Sequence, residues 1–403
     1  LNHGNSALIV RGIMKQNKIE HVLAAIDEKR LLETAMALVE VPSPTLSAGA
    51  AADRLADILL ADGFAVERPV ADWPEAPAVA VRFDTGKAGR VLQFDGHLDT
   101  VHLPFAGPSI EDGHLCGSGA SDMKGGIAAA VEALRALRAS DALEGGGLLL
   151  TAHDHHEGPW GDRRQLLALI RAGYVGDGVL LPEYLAHLLP VGGRGQAIFT
   201  VEISRDGEPV HEVLRPNGLP DVLGAGADLV MRLKELNTQL GHIQAEHVGS
   251  ESAFVGHIAS GEIFNQAPVS CRVEGTRRWV RPGALDEVRR EFDEVLKGVA
   301  ARSGAQVNLV EWVVTGDAFN IDSGDPLAVA FQDAYSAIVG KELPVGAKPF
   351  VDDGNSFIAH AGITAITHGP AGLGAHTTRE RVPVEELVRV AKVYALSAMQ
   401  FCR

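Results

Sequence analysis

The stretch Val91-Leu92-Gln93-Phe94-Asp95-Gly96-His97-Leu98-Asp99-Thr100-Val101 constrains this chain more than any other. Its apolar start reads as a buried parallel strand, and it ends abruptly in a histidine and a carboxylate two residues apart. Residues i and i+2 of an extended chain share a face, so His97 and Asp99 can point together out of the strand's carboxyl end. In open α/β sheets, ligands and metals sit in the crevice at that end. An imidazole that ligates a metal through one nitrogen needs its other N–H held, often by a carboxylate. The plainer role for the same pair is a buried histidine satisfied by backbone, with Asp99 capping the next element.

Three further stretches bear on that choice. A glycine-rich loop, Gly117-Ser118-Gly119-Ala120-Ser121-Asp122, precedes Ile127, Val131, Leu134 and Leu137 at helical spacing. Asp122 is therefore either an N-cap or a ligand presented by the loop. Leu148-Leu149-Leu150 reads as a strand running into Thr151-Ala152-His153-Asp154-His155-His156-Glu157, five ionisable residues that are costly to bury unpaired. Gly178 to Leu181 reads as another strand, followed by Pro182-Glu183. Three strands thus each deliver a metal-competent residue at their carboxyl end.

Helices are expected over Ile19–Leu38, ending at Val41-Pro42-Ser43-Pro44, and over Ala50–Leu60, with a strand over Ala78–Arg82. From Gln196 the pattern changes to strand, helix, strand, strand, helix, strand, closing at Val307–Val314. That is the ferredoxin-like order, in a domain of about 120 residues. Alternating α/β character resumes near Asp317 and closes with a helix over Val384–Met399. At 403 residues, two domains are the natural division.

A net charge of −16 argues against nucleic-acid or anionic-membrane partners, which select basic surface. No stretch approaches the roughly 20 apolar residues of a membrane span. Cys116, Cys271 and Cys402 lack metal-type spacing and read as reduced thiols of a cytoplasmic protein. Leu1–Gly12 lacks the pattern of a signal peptide, and Met14 is the expected native start.

Together these motifs resemble the M20 metallopeptidases and deacylases over nearly all of the chain. Gly96-His97-Leu98-Asp99-Thr100-Val101 looks like the family's first metal motif, and the Asp122 loop looks like its second. The resemblance implies that Asp122 bridges two metals, that the Asp122–Met123 peptide bond is cis, that Glu183 is a ligand, and that His376 in Gly374-Ala375-His376-Thr377-Thr378-Arg379-Glu380 completes the second site. It also implies an α/β fold: a mostly parallel-sheet metallohydrolase domain (14–195 and 317–403) with an inserted ferredoxin-like α+β lid domain (196–316). In the lid, His211 resembles the histidine that polarises the substrate carbonyl, commonly across a dimer interface. Asn265 and Arg278 resemble lid positions that hold substrate, and Asn355 falls in a pocket-lining loop.

One departure matters. The family has Asp-Glu-Glu where the first Glu is the general base and the second a ligand. Counting back from Gly161 with the family's spacing puts His155 at the base and His156 at the ligand position; a one-residue slip would instead make Glu157 the carboxylate with His156 before it. We expect the unshifted register, with Asp99 orienting His97. The expected cofactor is one or two divalent ions per subunit, Zn²⁺, Mn²⁺ or Co²⁺. The expected function is metal-dependent hydrolysis of a C–N bond in a small carboxylate-bearing molecule, an N-acyl amino acid or dipeptide. Hydrolytic deamination of a small aromatic amine and a non-catalytic binding protein of the same fold are the alternatives. The resemblance further implies a homodimer through the lid, or a higher homo-oligomer.

Overall fold

In the computed structural model the described residues are 16–403, so Met14 and Leu1–Gly12 lie outside them. The chain divides into two compact units. The described residues up to Val191, with Ile321–Gly346 and Ser356–Arg403, form the first; Gly192–Asn320 with Ala347–Asn355 form the second. Ala347–Asn355 was expected in the first unit. It clusters with the second because the buried Asn355 amide donates to the main-chain carbonyls of Arg194 and Asp317.

The first unit is built on a six-stranded sheet. Four strands run parallel in the order Gly147–His153, Val91–His97, Gly178–Leu181, Ala365–Thr367. Val79–Asp84 and then Val66–Glu67 extend one edge antiparallel. Val91–His97 is buried at every position after the first and Gly147–His153 throughout, the uninterrupted apolar pattern of strands covered on both faces. Because neighbouring parallel strands end on the same side, His97 lies in register with His153. The residues that follow each strand therefore emerge together.

The helix Lys124–Ser140 is buried from Lys124 through Leu137 and packs against Glu28–Val39 and Val384–Phe401. Its first turn lies very close to its neighbours. A Cβ on Gly125 would come within 2.2 Å of the Ala120 carbonyl, and one on Gly126 within 2.2 Å of the Pro182 carbonyl. The two glycines thereby let the helix seat the loop bearing Asp122 and the turn bearing Glu183. The periodicity over Ile19–Leu38 resolves into two helices, one over 16–24 and one at Glu28–Val39. The break comes at Asp27, whose carboxylate accepts the Arg30 N–H, a cap contributing about 1 kcal/mol. Helices Arg164–Arg171 and Pro326–Val339 are among the elements of this unit that were not expected above.

The second unit holds four antiparallel strands, Gly195–Ser204, Ser252–Ser260, Ser270–Trp279 and Gln306–Gly316. Numbered along the chain, their order across the sheet is second, third, first, fourth. With Val222–Leu240 after the first strand and Leu285–Ser303 after the third, this is the ferredoxin-like arrangement. Phe199, Val201, Ile203 and Val273 pack one sheet face against Leu229, Leu233, Phe292 and Val299. Among the described residues no helix is long and apolar enough to cross a membrane, and Cys116, Cys271 and Cys402 are free thiols.

Candidate metal centre

His97 closes its strand and is fully buried. Its Nδ1 lies 2.9 Å from the Asp99 main-chain carbonyl and 3.6 Å from the Asp99 carboxylate. The shorter contact makes Nδ1 the N–H that donates, leaving the Nε2 lone pair available. The Asp99 carboxylate accepts the main-chain N–H of Glu157 at 2.8 Å and of His156 at 3.1 Å. Asp99 therefore orients His97 mainly through its backbone and the next strand's loop through its side chain. Burial alone would raise the Asp99 carboxyl, but His97 and those N–H groups hold it well below the usual carboxylate range.

His97 Nε2 is 3.2 Å from Asp122 Oδ1 and 3.7 Å from Glu183 Oε1. His376 Nε2 is 3.1 Å from Asp122 Oδ2 and 3.2 Å from Glu157 Oε2. Asp122 thus turns one oxygen to each histidine. It is not an N-cap: Met123 holds that position and no side chain caps the helix. The Asp122–Met123 bond is cis. His156 Nε2 lies 3.5 Å from Glu183 Oε1, and its ring stacks on that of His97 at 3.9 Å between centroids.

These residues fit a divalent metal. His97, His156 and Glu183 offer ligand atoms within 4.8 Å of one another, as do His97, Asp122 and Glu157. His97 Nε2 and Asp122 Oδ1 are buried without a hydrogen-bond partner among the described residues, a condition native structures rarely leave unexplained. Imidazole nitrogens interleaved with carboxylate oxygens are the donor set of Zn²⁺ and Mn²⁺ sites. Burial would lower the His97 imidazole, but Asp122, Asp99 and Glu183 outweigh it and hold it well above its ordinary value. The carboxylates of Asp122 and Glu157 raise His376 to about 10.

His155, expected as the base, is not brought into this cluster, whereas His156, expected as a ligand, lies in it with His97 and Glu183. The strand ends at His153, and the chain then takes a left-handed φ of 72° at His155. That turn sets the His155 ring edge-on against Trp73, 4.5 Å between centroids, and buries it completely. His156 and Glu157 are the side chains that reach His97, Glu183 and His376.

Glu380 was quoted above in its motif without a role. Its buried carboxylate accepts the main-chain N–H of Gly119 at 2.9 Å, of Ser121 at 2.8 Å and of Asp122 at 2.8 Å, and the Ser121 hydroxyl at 3.1 Å. The motif that carries His376 therefore also clamps the loop that carries Asp122. Glu380→Gln removes the charge and, with its oxygen kept toward Ser121 and Asp122, turns its amide hydrogens toward the Gly119 N–H. We expect roughly 10- to 100-fold weaker metal affinity, read by competition with a chromophoric chelator, with little change in helix content.

In the second unit, Val210–His211 pairs antiparallel with Gln266–Ala267. His211 Nε2 lies 3.1 Å from the side-chain amide of Asn265, so these two residues are brought together. Arg278 Nη1 is buried without a hydrogen-bond partner among the described residues. Burial and then the charge of Arg194 lower its pKa; Arg194 is a neighbour the sequence reading did not single out. Asn355, expected to line a pocket, is fully buried. Its Nδ2 donates to two main-chain carbonyls and its Oδ1 accepts the Asp352 N–H. That leaves it no free donor for a ligand.

Comparison with known proteins identifies the family. A profile described as peptidase family M20/M25/M40 matches residues 94–400. A succinyl-diaminopimelate desuccinylase of Methylobacterium sp. (strain 4-46) is 32% identical over 387 residues, covering 90% of this chain and 94% of that protein. An enzyme of the same name from Methylorubrum extorquens is 30% identical over 382 residues, covering 90% and 96%. Among solved structures, the aminopeptidase PepT from Bacillus cereus superposes with a TM-score of 0.78 at 21% identity, covering 94% of this chain and 99% of that one. The chain belongs to peptidase family M20/M25/M40 and is a metal-dependent amidohydrolase of that family.

Proposed function

We propose that the chain hydrolyses the amide of a small carboxylate-bearing substrate, an N-acyl amino acid or a dipeptide. His97, Asp122 and Glu183 would hold one divalent ion and Asp122, Glu157 and His376 a second, Zn²⁺, Mn²⁺ or Co²⁺. The observation carrying this reading is that Asp122 turns one oxygen to each of two histidines, at 3.2 and 3.1 Å. Bound there, such ions polarise a carbonyl and lower the pKa of water. His156 takes the proton from the attacking water and returns it to the leaving amine; Asp99 holds its backbone in place for that. His211 donates to the developing oxyanion, and Arg278 with Arg194 receives the substrate carboxylate. The curated relatives are desuccinylases by name, which supports an acyl-amino-acid substrate.

Deamination of a small aromatic amine is a second reading, favoured by the imidazole of His156 where an amide hydrolase of this family has a carboxylate. Neutral once it has released its proton, an imidazole can protonate a departing ammonia without leaving an extra negative charge beside an electron-rich ring. Product analysis separates the readings: carboxylic acid release from N-succinyl or dipeptide substrates supports the first, and ammonia from an aminobenzoate supports the second. Turnover of neither class would overturn both.

Metal uptake supplies a pH test. At neutral pH the ion-free centre carries a proton on His376, whose pKa is about 10, and a cation must displace it. Affinity is therefore expected to rise with pH toward 10 and to fall below neutrality, with protons released into weakly buffered solution as Zn²⁺ is added. Uptake without proton release would rule out His376 as a ligand. The second unit is the lid of this reading and the seat of a homodimer or higher homo-oligomer. Phe254 and Ile258, exposed on its edge strand, support that, and a monomer in sedimentation would remove it.

A further inference from the structure

We infer that Arg205 is a positioning residue for His211, holding its imidazole in one tautomer and place; this rests on reading His211 as the oxyanion donor. The ribbon that carries His211 is short for a specific reason. Its ladder has two residue pairs, Val210 with Ala267 and His211 with Gln266. The next pair in that register is Pro209 opposite Pro268. Neither proline has an N–H, so the ladder cannot continue, and the carbonyls on both sides of the gap lack backbone donors.

Arg205 supplies those donors. Its Nε donates to Pro268 O at 2.9 Å, its Nη1 to Asp206 O at 3.1 Å, and its Nη2 to Glu208 O at 3.1 Å and Ala267 O at 3.0 Å. Its own N–H donates to Val269 O at 3.1 Å. The side chain is buried and makes no ion pair among the described residues. A buried guanidinium satisfied by carbonyls alone is a fastener, and its planar fork of donors is what lysine lacks. It joins the segment leading into His211 to the segment leading out of Asn265 and Gln266.

The tautomer follows from that fastening. Val213 N–H points at His211 Nδ1, 3.4 Å away, and Glu212 N–H donates to the Asn265 carbonyl at 3.0 Å. With Nδ1 accepting, the proton sits on Nε2; Asn265 Nδ2 lies 3.1 Å from Nε2, so this tautomer requires the Asn265 amide turned to present its oxygen there. An oxyanion donor must be an N–H aimed in advance. Arg205 keeps the two segments that set this aim at a fixed separation.

The test uses the metal-loaded full chain with ¹⁵N-labelled histidine, the His211 signals being assigned by their loss in His211→Gln. We expect wild type to show a single Nε2–H tautomer, and Arg205→Ala and Arg205→Lys to show averaged ring nitrogens. kcat should fall roughly 10- to 100-fold with metal content unchanged. Arg205→Ala should cost nothing further in a His211→Ala background. If His211→Ala leaves the rate intact, the oxyanion reading fails, while the ring-nitrogen signals still judge the fastening. If His211→Ala slows the enzyme but Arg205→Lys changes neither tautomer nor kcat, the positioning role is overturned. An equal loss in both backgrounds overturns it too, since Arg205 would then act elsewhere. Should Arg205→Ala fail to fold, Arg205→Lys carries the same comparisons.

Discussion

Asp122→Asn is expected to empty both halves of the metal centre and to lower kcat/KM by more than about 10³-fold, a loss of over 4 kcal/mol in transition-state stabilisation. An amide cannot offer an anionic oxygen to each of two sites, whereas Asp122 faces His97 with one oxygen and His376 with the other. Changes outside the ligand set cost roughly 10- to 100-fold in affinity; a ligand common to both sites must cost more, and at each. Folding should suffer less than burial of the group suggests. Removing one partner of a buried ion pair costs about 3–5 kcal/mol when the other stays charged. Here the histidines can shed their protons more readily, because Asp122, the largest of the carboxylate contributions holding His97 and His376 above their ordinary values, is the group removed. The loop itself stays clamped through main-chain N–H bonds to Glu380. The expected result is therefore near-native circular dichroism, less than one metal per chain by elemental analysis, and no measurable turnover. Two tightly bound metals in active Asp122→Asn would end the bridging assignment.

The frame of the first unit was legible because its strands are buried on both faces and end in residues that do not belong in a core. Val91–His97 and Gly178–Leu181 could be read almost to the residue. The alternation of Gly195–Ser204 and the two amphipathic helices likewise marked the second unit. Less visible was what depends on a single side chain interrupting a period, such as Asp27 splitting one apparent helix in two. Segments that take part through hydrogen bonds were also hidden: Ala347–Asn355 has no periodic signature, and its place follows from Asn355 bonding to Arg194 and Asp317.

The centre itself was legible wherever a strand end dictated direction, as at His97 and Glu183. At His153–Glu157 direction is set by a left-handed turn at His155, and a non-glycine residue there costs about 1–2 kcal/mol. No local pattern announces that choice, since histidine is neither glycine nor asparagine. The signal lay in Asp99, whose carboxylate takes N–H donors from residues 156 and 157, just past the end of the adjacent strand. Glu380 was hidden for a related reason: it accepts from backbone N–H donors, and backbone donors leave no mark on spacing.

His156 and His155 should behave oppositely, and the contrast tests the chemistry directly. His156→Gln keeps a polar side chain of similar reach over His97 but cannot accept a proton. We expect kcat to fall roughly 10²- to 10⁴-fold, the range that general acid–base groups contribute, with the Asp122, Glu157 and His376 ligand set intact. His156→Glu restores a proton acceptor at the same position and should recover part of the loss. Its pH–rate profile should shift its acid limb downward, because a carboxylate gives up its proton below an imidazole. His155→Phe, by contrast, keeps a ring against Trp73 and removes two buried nitrogens that have no hydrogen-bond partner among the described residues, Nδ1 lying 3.9 Å from Asp154 Oδ1. Trading unpartnered polar atoms for apolar ones of similar shape is close to neutral or stabilising, so activity should stay within a few-fold of wild type and the melting temperature should hold or rise. Had the register expected from Gly161 been correct, His155→Phe would be the inactive variant and His156→Gln the one that loses metal. The same two substitutions, followed by rate, metal content and melting temperature, therefore decide between the registers without reference to which substrate is used.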